Sequence, residues 1–410
     1  MHILYLTQWF DPEPNVVKGV AFVRALEAAG HDVTVVTGLP NYPTGKLYPG
    51  YRWRLLQKEM IDGIRVVRLP LYPSHDTSAV RRSLNYLSFF LSALVYCLCR
   101  RGSFDLAYVY HPPITVGAAA ALAGLIRPLE FVLDVQDLWP DTLASTGMRG
   151  GATLGRLLGP VCRLVYRRAA AIIVQSDGMK RALIDRGVPC AKISTILNWA
   201  DVPQLPPLRA AREQGPFTIV YGGNLGRAQG LETLVAAAAL IERDRSDIRL
   251  IIYGDGVESE ALRRAAREAR VTILSFQGRR SSTEMVTAFS EADALVMHLT
   301  DQPLFAITIP SKTQFYLAMG RPIVAGIAGD AARLLHRAGA ALVVTPGDPG
   351  VLAQALRAMA EMPAAERTAL GASGRHFYLD HLSFERGMHD TLQLIERART
   401  RRAGDRLVPA

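Results

Sequence analysis

Several common chemistries are missing from this chain. There is no Asp-x-Asp pair in its 410 residues, so a carboxylate-held divalent ion gripping a diphosphate is not indicated and no metal site is expected. No Walker A lysine loop is present, and no Ser/Cys–His nucleophile signature stands out. The four cysteines, Cys97, Cys99, Cys162 and Cys190, have neither metal nor redox spacing and read as free thiols of a reducing cytoplasm. No secretory leader is expected, because Met1 to Tyr5 already reads as a strand. Low-complexity sequence is scarce, and only Arg399 to Ala410 reads as a frayed tail. The arginines are dispersed rather than interleaved with aromatics, so nucleic acid is not an expected partner.

What is present points to a folded α/β protein. Apolar residues make up 49% of the chain, and its length calls for two domains. A net charge of +10 suits phosphorylated ligands or an anionic membrane surface. Short apolar runs alternate with helical patterns, beginning His2–Trp9, Val17–Ala29 and Asp32–Gly38, which predicts a parallel doubly wound sheet. A proline-rich stretch, Val202-Pro203-Gln204-Leu205-Pro206-Pro207, reads as part of a linker over 201–216. The alternation restarts at Phe217. The expected division is 1–200, a linker at 201–216, a second Rossmann-like domain at 217–380, and a helix with a tail at 381–410 packing back on the first domain.

The strongest local signal is Tyr221-Gly222-Gly223-Asn224-Leu225-Gly226-Arg227-Ala228-Gln229-Gly230, a glycine-rich turn between a predicted strand and a predicted helix. Glycines let backbone approach a phosphate, a helix start favours an anion, and Arg227 adds a full charge. A second candidate is the predicted helix start at Pro310-Ser311-Lys312-Thr313-Gln314, with Lys312 placed for an anion and Gly320 as C-cap. In the first half, His111 ends a strand and can orient a substrate or cap the next helix. Asp134, Asp137 and Asp141 surround Trp139-Pro140, where one carboxylate can take a hydroxyl proton. Glu13 and Asn15 lie in the loop after the first strand. The apolar segment Leu84–Cys99, flanked by arginines, spans about 24 Å as a helix and falls short of the roughly 30 Å hydrocarbon core. It reads either as a buried crossover helix or as a monotopic membrane contact.

Several of these motifs carry a family resemblance. Ala29-Gly30-His31-Asp32-Val33-Thr34, Ile196-Leu197-Asn198-Trp199-Ala200-Asp201, Tyr221–Gly230, Ile252-Tyr253-Gly254-Asp255-Gly256 and Phe276-Gln277-Gly278 resemble glycosyltransferase family 4. Gly38-Leu39-Pro40-Asn41-Tyr42-Pro43-Thr44-Gly45, Arg82-Ser83-Leu84-Asn85-Tyr86-Leu87-Ser88-Phe89 and Gln136-Asp137-Leu138-Trp139-Pro140-Asp141 are similar to its O-antigen, capsule and colanic acid subgroup, which includes fucosyl- and N-acetylfucosaminyltransferases. The resemblance implies a GT-B fold and a retaining, metal-independent hexosyltransferase with no cofactor. It implies a nucleotide-sugar co-substrate, UDP-linked by first choice, held by the second domain. The acceptor would be a polyprenyl-diphosphate-linked saccharide at the inner face of the cell membrane, with Glu13, Asn15 and Asp137 on its side.

By position, Arg227 and Lys312 would stabilise the leaving diphosphate and His111 would orient the sugar, while Gly222, Gly223, Asn224, Gly226, Ser311 and Gln314 would line the donor. The chain departs from the family pattern in three places. Gln229 stands where a lysine is usual, Ile307 and Phe315 stand where paired glutamates are usual, and the first loop reads Glu13-Pro14-Asn15 in place of paired glycines. A GT-B nucleotide-sugar epimerase and a non-catalytic nucleotide-sugar-binding subunit are the alternative readings.

Overall fold

A computed structural model describes residues 1–14, 17–75, 78–100, 102–111, 113–142, 151–200, 202, 204–212, 215–245 and 247–405. The chain divides into two compact units, Met1–Leu197 with Met388–Ala410, and Asn198–Gly387.

The first unit holds β1 (His2–Leu6), β2 (Asp32–Gly38), β3 (Gln57–Ile61), β4 (Ile64–Leu69), β5 (Leu106–His111), β6 (Phe131–Val135), β7 (Ala171–Val174) and β8 (Ile193–Thr195). They form one sheet in the order β3-β4-β2-β1-β5-β6-β7-β8. All neighbours are parallel except β3 against β4. The parallel strands are covered on both faces, which is why Ile3 to Leu6 and Phe131 to Val135 are apolar nearly throughout.

The hairpin was legible but not read from the sequence. Asp62 (φ 49°) and Gly63 (φ 85°) form a two-residue turn with both φ values positive, the Asp-Gly signature of a tight hairpin. Its outer strand, Gln57-Lys58-Glu59-Met60-Ile61, alternates half-buried and exposed positions and carries charge, as an edge strand should.

The second unit holds β9 (Phe217–Gly222), β10 (Ile248–Tyr253), β11 (Leu274–Gly278), β12 (Ala294–His298), β13 (Ile323–Gly326) and β14 (Ala341–Val344), in the order β11-β10-β9-β12-β13-β14. Every pair is parallel. Its core joins Ile219, Tyr221, Leu250, Ile252 and Val296 of the sheet to Leu234, Ala238, Leu352 and Leu356 of the covering helices. The proline-rich stretch is held against this unit: the Arg375 and Arg367 guanidiniums donate to the Pro206 and Arg212 carbonyls at 3.0 and 2.7 Å.

Chain order reverses direction beside β1 and β5 in the first sheet and beside β9 and β12 in the second. In doubly wound sheets, ligands bind outside the carboxyl ends of the strands at such points.

Candidate active site

The second switch point is the better furnished. Pairing of β9 with β12 covers only Ile219–Ala294 and Val220–Leu295, so the two strands part toward their carboxyl ends. Gly222 ends β9 with its amide donating to the Tyr316 hydroxyl (3.0 Å). A Cβ there would strike the Phe289 ring, and one on Gly223 (φ 135°) would strike the Lys312 side chain. These glycines therefore make room for neighbouring side chains.

The turn's amides are largely committed inside the protein. Gly223 N donates to Tyr253 O and Leu225 N to Asp255 O, each at 3.0 Å, while Gly226 N donates to Gln229 Oε1 at 3.1 Å. Gly254 N in turn donates to Gly278 O (2.8 Å). The three motifs Tyr221–Gly230, Ile252–Gly256 and Phe276–Gly278 thus interlock, and a Cβ on Gly254 would collide with the Gly223 carbonyl. Gly222 and Gly226 are buried and shape the turn, whereas Gly223, Asn224 and Arg227 are exposed and are the parts a ligand can meet.

Lys312 supplies the charge beneath them. It is the second residue of the helix Ser311–Met319, which follows Pro310 and ends on Gly320 in the left-handed conformation (φ 66°). Pro310, not Ser311, is the N-cap residue, and Ser311 is exposed at the first position. Lys312 Nζ donates to the Tyr221 hydroxyl at 2.7 Å and lies 4.6 Å from that ring's centre. The Tyr221 hydroxyl donates onward to Asn224 O (2.8 Å). Among the described residues no carboxylate pairs with Lys312, and burial alone pushes its ammonium down to about 8. A half-buried lysine with no carboxylate partner among the described residues, beside a helix start and an exposed glycine turn, is an arrangement suited to an anion.

Arg227 is placed differently from what the motif suggests. Its side chain is 88% exposed, and Nε pairs with Glu258 Oε1 at 3.1 Å. It can reach an arriving anion only by leaving Glu258, which costs little because an exposed pair is weak. Gln229, in the usual lysine position, accepts the Gly226 amide and so closes the turn. Gln314 does not reach the surface. It is 2% exposed, with Nε2 oriented to donate to the Pro310 carbonyl at 2.9 Å. Its burial leaves it no access to a ribose.

Sequence reasoning missed His298, Tyr316 and the part played by Tyr221. His298 ends β12, is buried, and has a pKa pushed below the ordinary histidine value by that burial. Its Nδ1 donates to Gln229 O (2.8 Å) and its Nε2 accepts Gly347 N (3.0 Å), so the neutral ring pins the glycine turn to the neighbouring loop. The available signal was a histidine at a strand's carboxyl end, the same signal that singled out His111.

In the first unit, His111 ends β5 at the switch point, and its side chain lies outside the described residues, as does Asn15. Glu13 is buried. Its Oε1 accepts the Asn41 and Tyr42 amides, both at 2.8 Å, and Oε2 accepts the Phe10 amide at 3.2 Å. Burial pushes its carboxyl up to about 7 against those donors. Glu13 ties two loops together and is not free to hold an acceptor. Asp137 is open to solvent on one side, and the surrounding protein raises its carboxyl to about 6. Asp141 pairs with Arg186. Asp134 is buried against Lys18, accepts the Tyr108 hydroxyl at 2.5 Å, and receives Gln136 Nε2 (2.6 Å) and Gln175 Nε2 (3.1 Å). Nothing in the sequence marked Lys18 as the buried partner.

Two doubly wound parallel-sheet α/β units, with a glycine turn and a lysine at the second switch point, fit the GT-B class of glycosyltransferase, and known proteins agree. Residues 20–199 match the glycosyl transferase 4-like domain and residues 216–362 match the glycosyl transferases group 1 domain, so this chain is a glycosyltransferase. It is 26% identical over 315 residues to WcaI of Escherichia coli strain K12, named as a colanic acid biosynthesis glycosyl transferase, covering 73% of this chain and 76% of that protein. It is 24% identical over 274 residues to WbjE of Pseudomonas aeruginosa, named as a glycosyltransferase, covering 63% of this chain and 66% of that protein, just under two thirds of its length. Anabaena HepE, solved in complex with UDP and glucose, superposes with a TM-score of 0.66 at 15% identity over 96% of this chain and 99% of its own.

Proposed function

We propose that this chain moves a sugar from a UDP-linked donor to a polyprenyl-diphosphate-linked saccharide in bacterial surface polysaccharide assembly, such as O-antigen or capsule. It works with retention, without a metal, at the inner face of the cell membrane. The single observation that carries the donor half is Lys312, a half-buried ammonium with no carboxylate partner among the described residues, beside the exposed Gly223–Asn224 turn. As the glycosidic bond breaks, the diphosphate gathers negative charge. Lys312, the start of helix Ser311–Met319, and Arg227 once released from Glu258 stabilise that charge. The acceptor hydroxyl attacks from the same face, and its proton passes to the departing phosphate oxygen. UDP in HepE supports the nucleotide, the colanic acid biosynthesis for which WcaI is named supports the pathway, and the subgroup resemblance favours a 6-deoxy amino sugar such as N-acetylfucosamine.

The test combines calorimetric UDP binding with transfer from a panel of UDP-sugars, run with and without EDTA. UDP binding, EDTA-resistant transfer, and a loss of at least about 100-fold in Arg227→Ala are expected, the scale of removing one charge-stabilising group. UDP binding with no turnover over the whole panel would instead mark a nucleotide-sugar-binding subunit.

A further inference from the structure

The helix Ala79–Cys99 is built inside out. Asn85, Ser88 and Ser92 face the protein. Asn85 is buried, receives Gln8 Nε2 at 2.6 Å and donates to the Tyr72 carbonyl at 2.7 Å. Ser88 Oγ accepts the Tyr72 amide at 2.8 Å, and Ser92 Oγ donates to the Pro70 carbonyl at 2.7 Å. Phe89, Ala93 and Cys97 are fully buried beside them. The opposite face carries Val80, Leu84, Leu87, Leu91 and Val95, each 46–70% exposed. Their spacing of three or four residues makes one continuous stripe about 22 Å long. A water-facing helix has the reverse arrangement.

The same unit shows a second apolar feature of this kind. In Arg52-Trp53-Arg54-Leu55-Leu56, all five side chains are exposed, Leu55 by 85%. This loop lies at the end of the sheet from which the chain leaves β4 for the helix, since it enters β3 at Gln57, opposite Arg68. Tyr51 N donates to Tyr48 O, the Tyr48 hydroxyl donates to Tyr42 O, and the Tyr42 ring stands 5.9 Å from Trp9, itself 6.3 Å from Tyr86. At the other end of the helix, Arg127 Nη1 donates to the Leu98 and Arg100 carbonyls and brings exposed Leu125 and Ile126 alongside.

The charge around these features has one sign. Lys46, Arg52, Arg54 and Lys58 are exposed, and the one carboxylate between 46 and 60, Glu59, is taken by Arg68. The helix contains no acidic residue and begins with Arg81 and Arg82. Exposed leucines and a tryptophan rimmed by the exposed cations Lys46, Arg52, Arg54 and Lys58 match an anionic lipid surface.

We infer that the first unit docks on an anionic bilayer through the outer face of Ala79–Cys99 together with the Arg52–Leu56 loop. The helix lies along the interface, since crossing the bilayer would strip its hydrogen bonds to Pro70 and Tyr72. Val80–Cys99 nonetheless has the length and composition to cross, with mean hydropathy 1.3. The inference rests on the reading of a lipid-linked acceptor for its purpose, because such an acceptor is met only at the bilayer surface.

The experiment is flotation of the full chain with phosphatidylcholine vesicles, with and without phosphatidylglycerol, at low and high salt. Wild type is expected to float only with phosphatidylglycerol, and less at high salt. Leu84→Gln/Leu87→Gln/Leu91→Gln should lower binding at least about tenfold, and so should Arg52→Gln/Arg54→Gln, whose exposed positions cannot disturb the core. Unchanged UDP affinity and thermal midpoint in each variant would show that docking, not folding, was lost. Failure of the wild type to float, or equal flotation of both variants, overturns the inference. So does a wild-type dimer that the leucine variant dissociates, which would make a second copy the occupant. Transfer to a water-soluble acceptor is read separately, so loss of docking leaves the catalytic reading intact, and loss of UDP binding leaves the docking reading intact.

Discussion

At the scale of single residues, the site turns on how desolvation acts on a lysine. Lys312 has its ammonium pushed down to about 8 because burial penalises its charge and no carboxylate among the described residues offsets the penalty. A bound diphosphate supplies the missing counter-charge and favours the protonated form, so UDP affinity and kcat/KM should fall as pH rises through about 8. Lys312→Ala is expected to lose at least about 100-fold in kcat/KM and to flatten that alkaline limb. A pH series of kcat/KM for both proteins checks this, and a variant within a few-fold of wild type would return Lys312 to a surface role. The glycine turn and the lysine were both legible, because glycine spacing and a helix start are local signals. That Gln314 is sealed in the helix and that Arg227 leans on Glu258 was not legible, since both depend on neighbours distant in sequence.

At the scale of elements, the apolar run from Leu84 to Cys99 identified a helix but not its orientation. Hydrophobicity alone would bury Leu91 as readily as Phe89, yet Phe89 is fully buried and Leu91 is 52% exposed. The hydrogen bonds of Asn85, Ser88 and Ser92 decide the matter, because turning this face outward would strip the Pro70 and Tyr72 backbone groups of their partners and set leucines against them, which costs more than exposed leucines in water. Phe89→Ala should therefore destabilise the first unit by about 3–5 kcal/mol, while Leu91→Ala should stay within about 0.5 kcal/mol. Urea unfolding of the two variants checks the contrast, and equal losses would contradict the inward placement of the polar face. The same three residues lie within the Arg82–Phe89 motif or just beyond it, and Asn85 Nδ2 also reaches Asn41 Oδ1 (3.4 Å) in the Gly38–Gly45 motif. Two of the sequences that carried the family resemblance thus meet in one buried polar cluster.

At the scale of the whole molecule, the first unit takes its last segment, Met388–Ala410, from the far end of the chain. Within that segment Thr391, Leu394, Ile395 and Ala398 are buried. Glu396 and Arg399 both act on the His31 imidazole, which burial lowers before either of them contributes. Ending the chain after Gly387 should cost the first unit at least about 3 kcal/mol from the lost apolar burial of Leu394 and Ile395 alone. Thermal unfolding of the truncated chain checks this, and an unchanged midpoint would show the segment to be an ornament on the fold.

Some features needed only the order of residues along the chain. Alternating apolar runs and helical patterns determined a doubly wound parallel architecture, and a glycine-rich turn at the restart of the alternation determined where an anion site would lie, because backbone geometry and helix termini act over a few residues. Only the folded structure decided how the groups around that turn are partnered and exposed. It set Tyr221 and Lys312 beneath Gly223, anchored the turn through His298, and spent Glu13 and Asp134 on internal partners. Burial, counter-ions and hydrogen-bond satisfaction are set by residues brought together from separate parts of the sequence, so no local pattern could announce them.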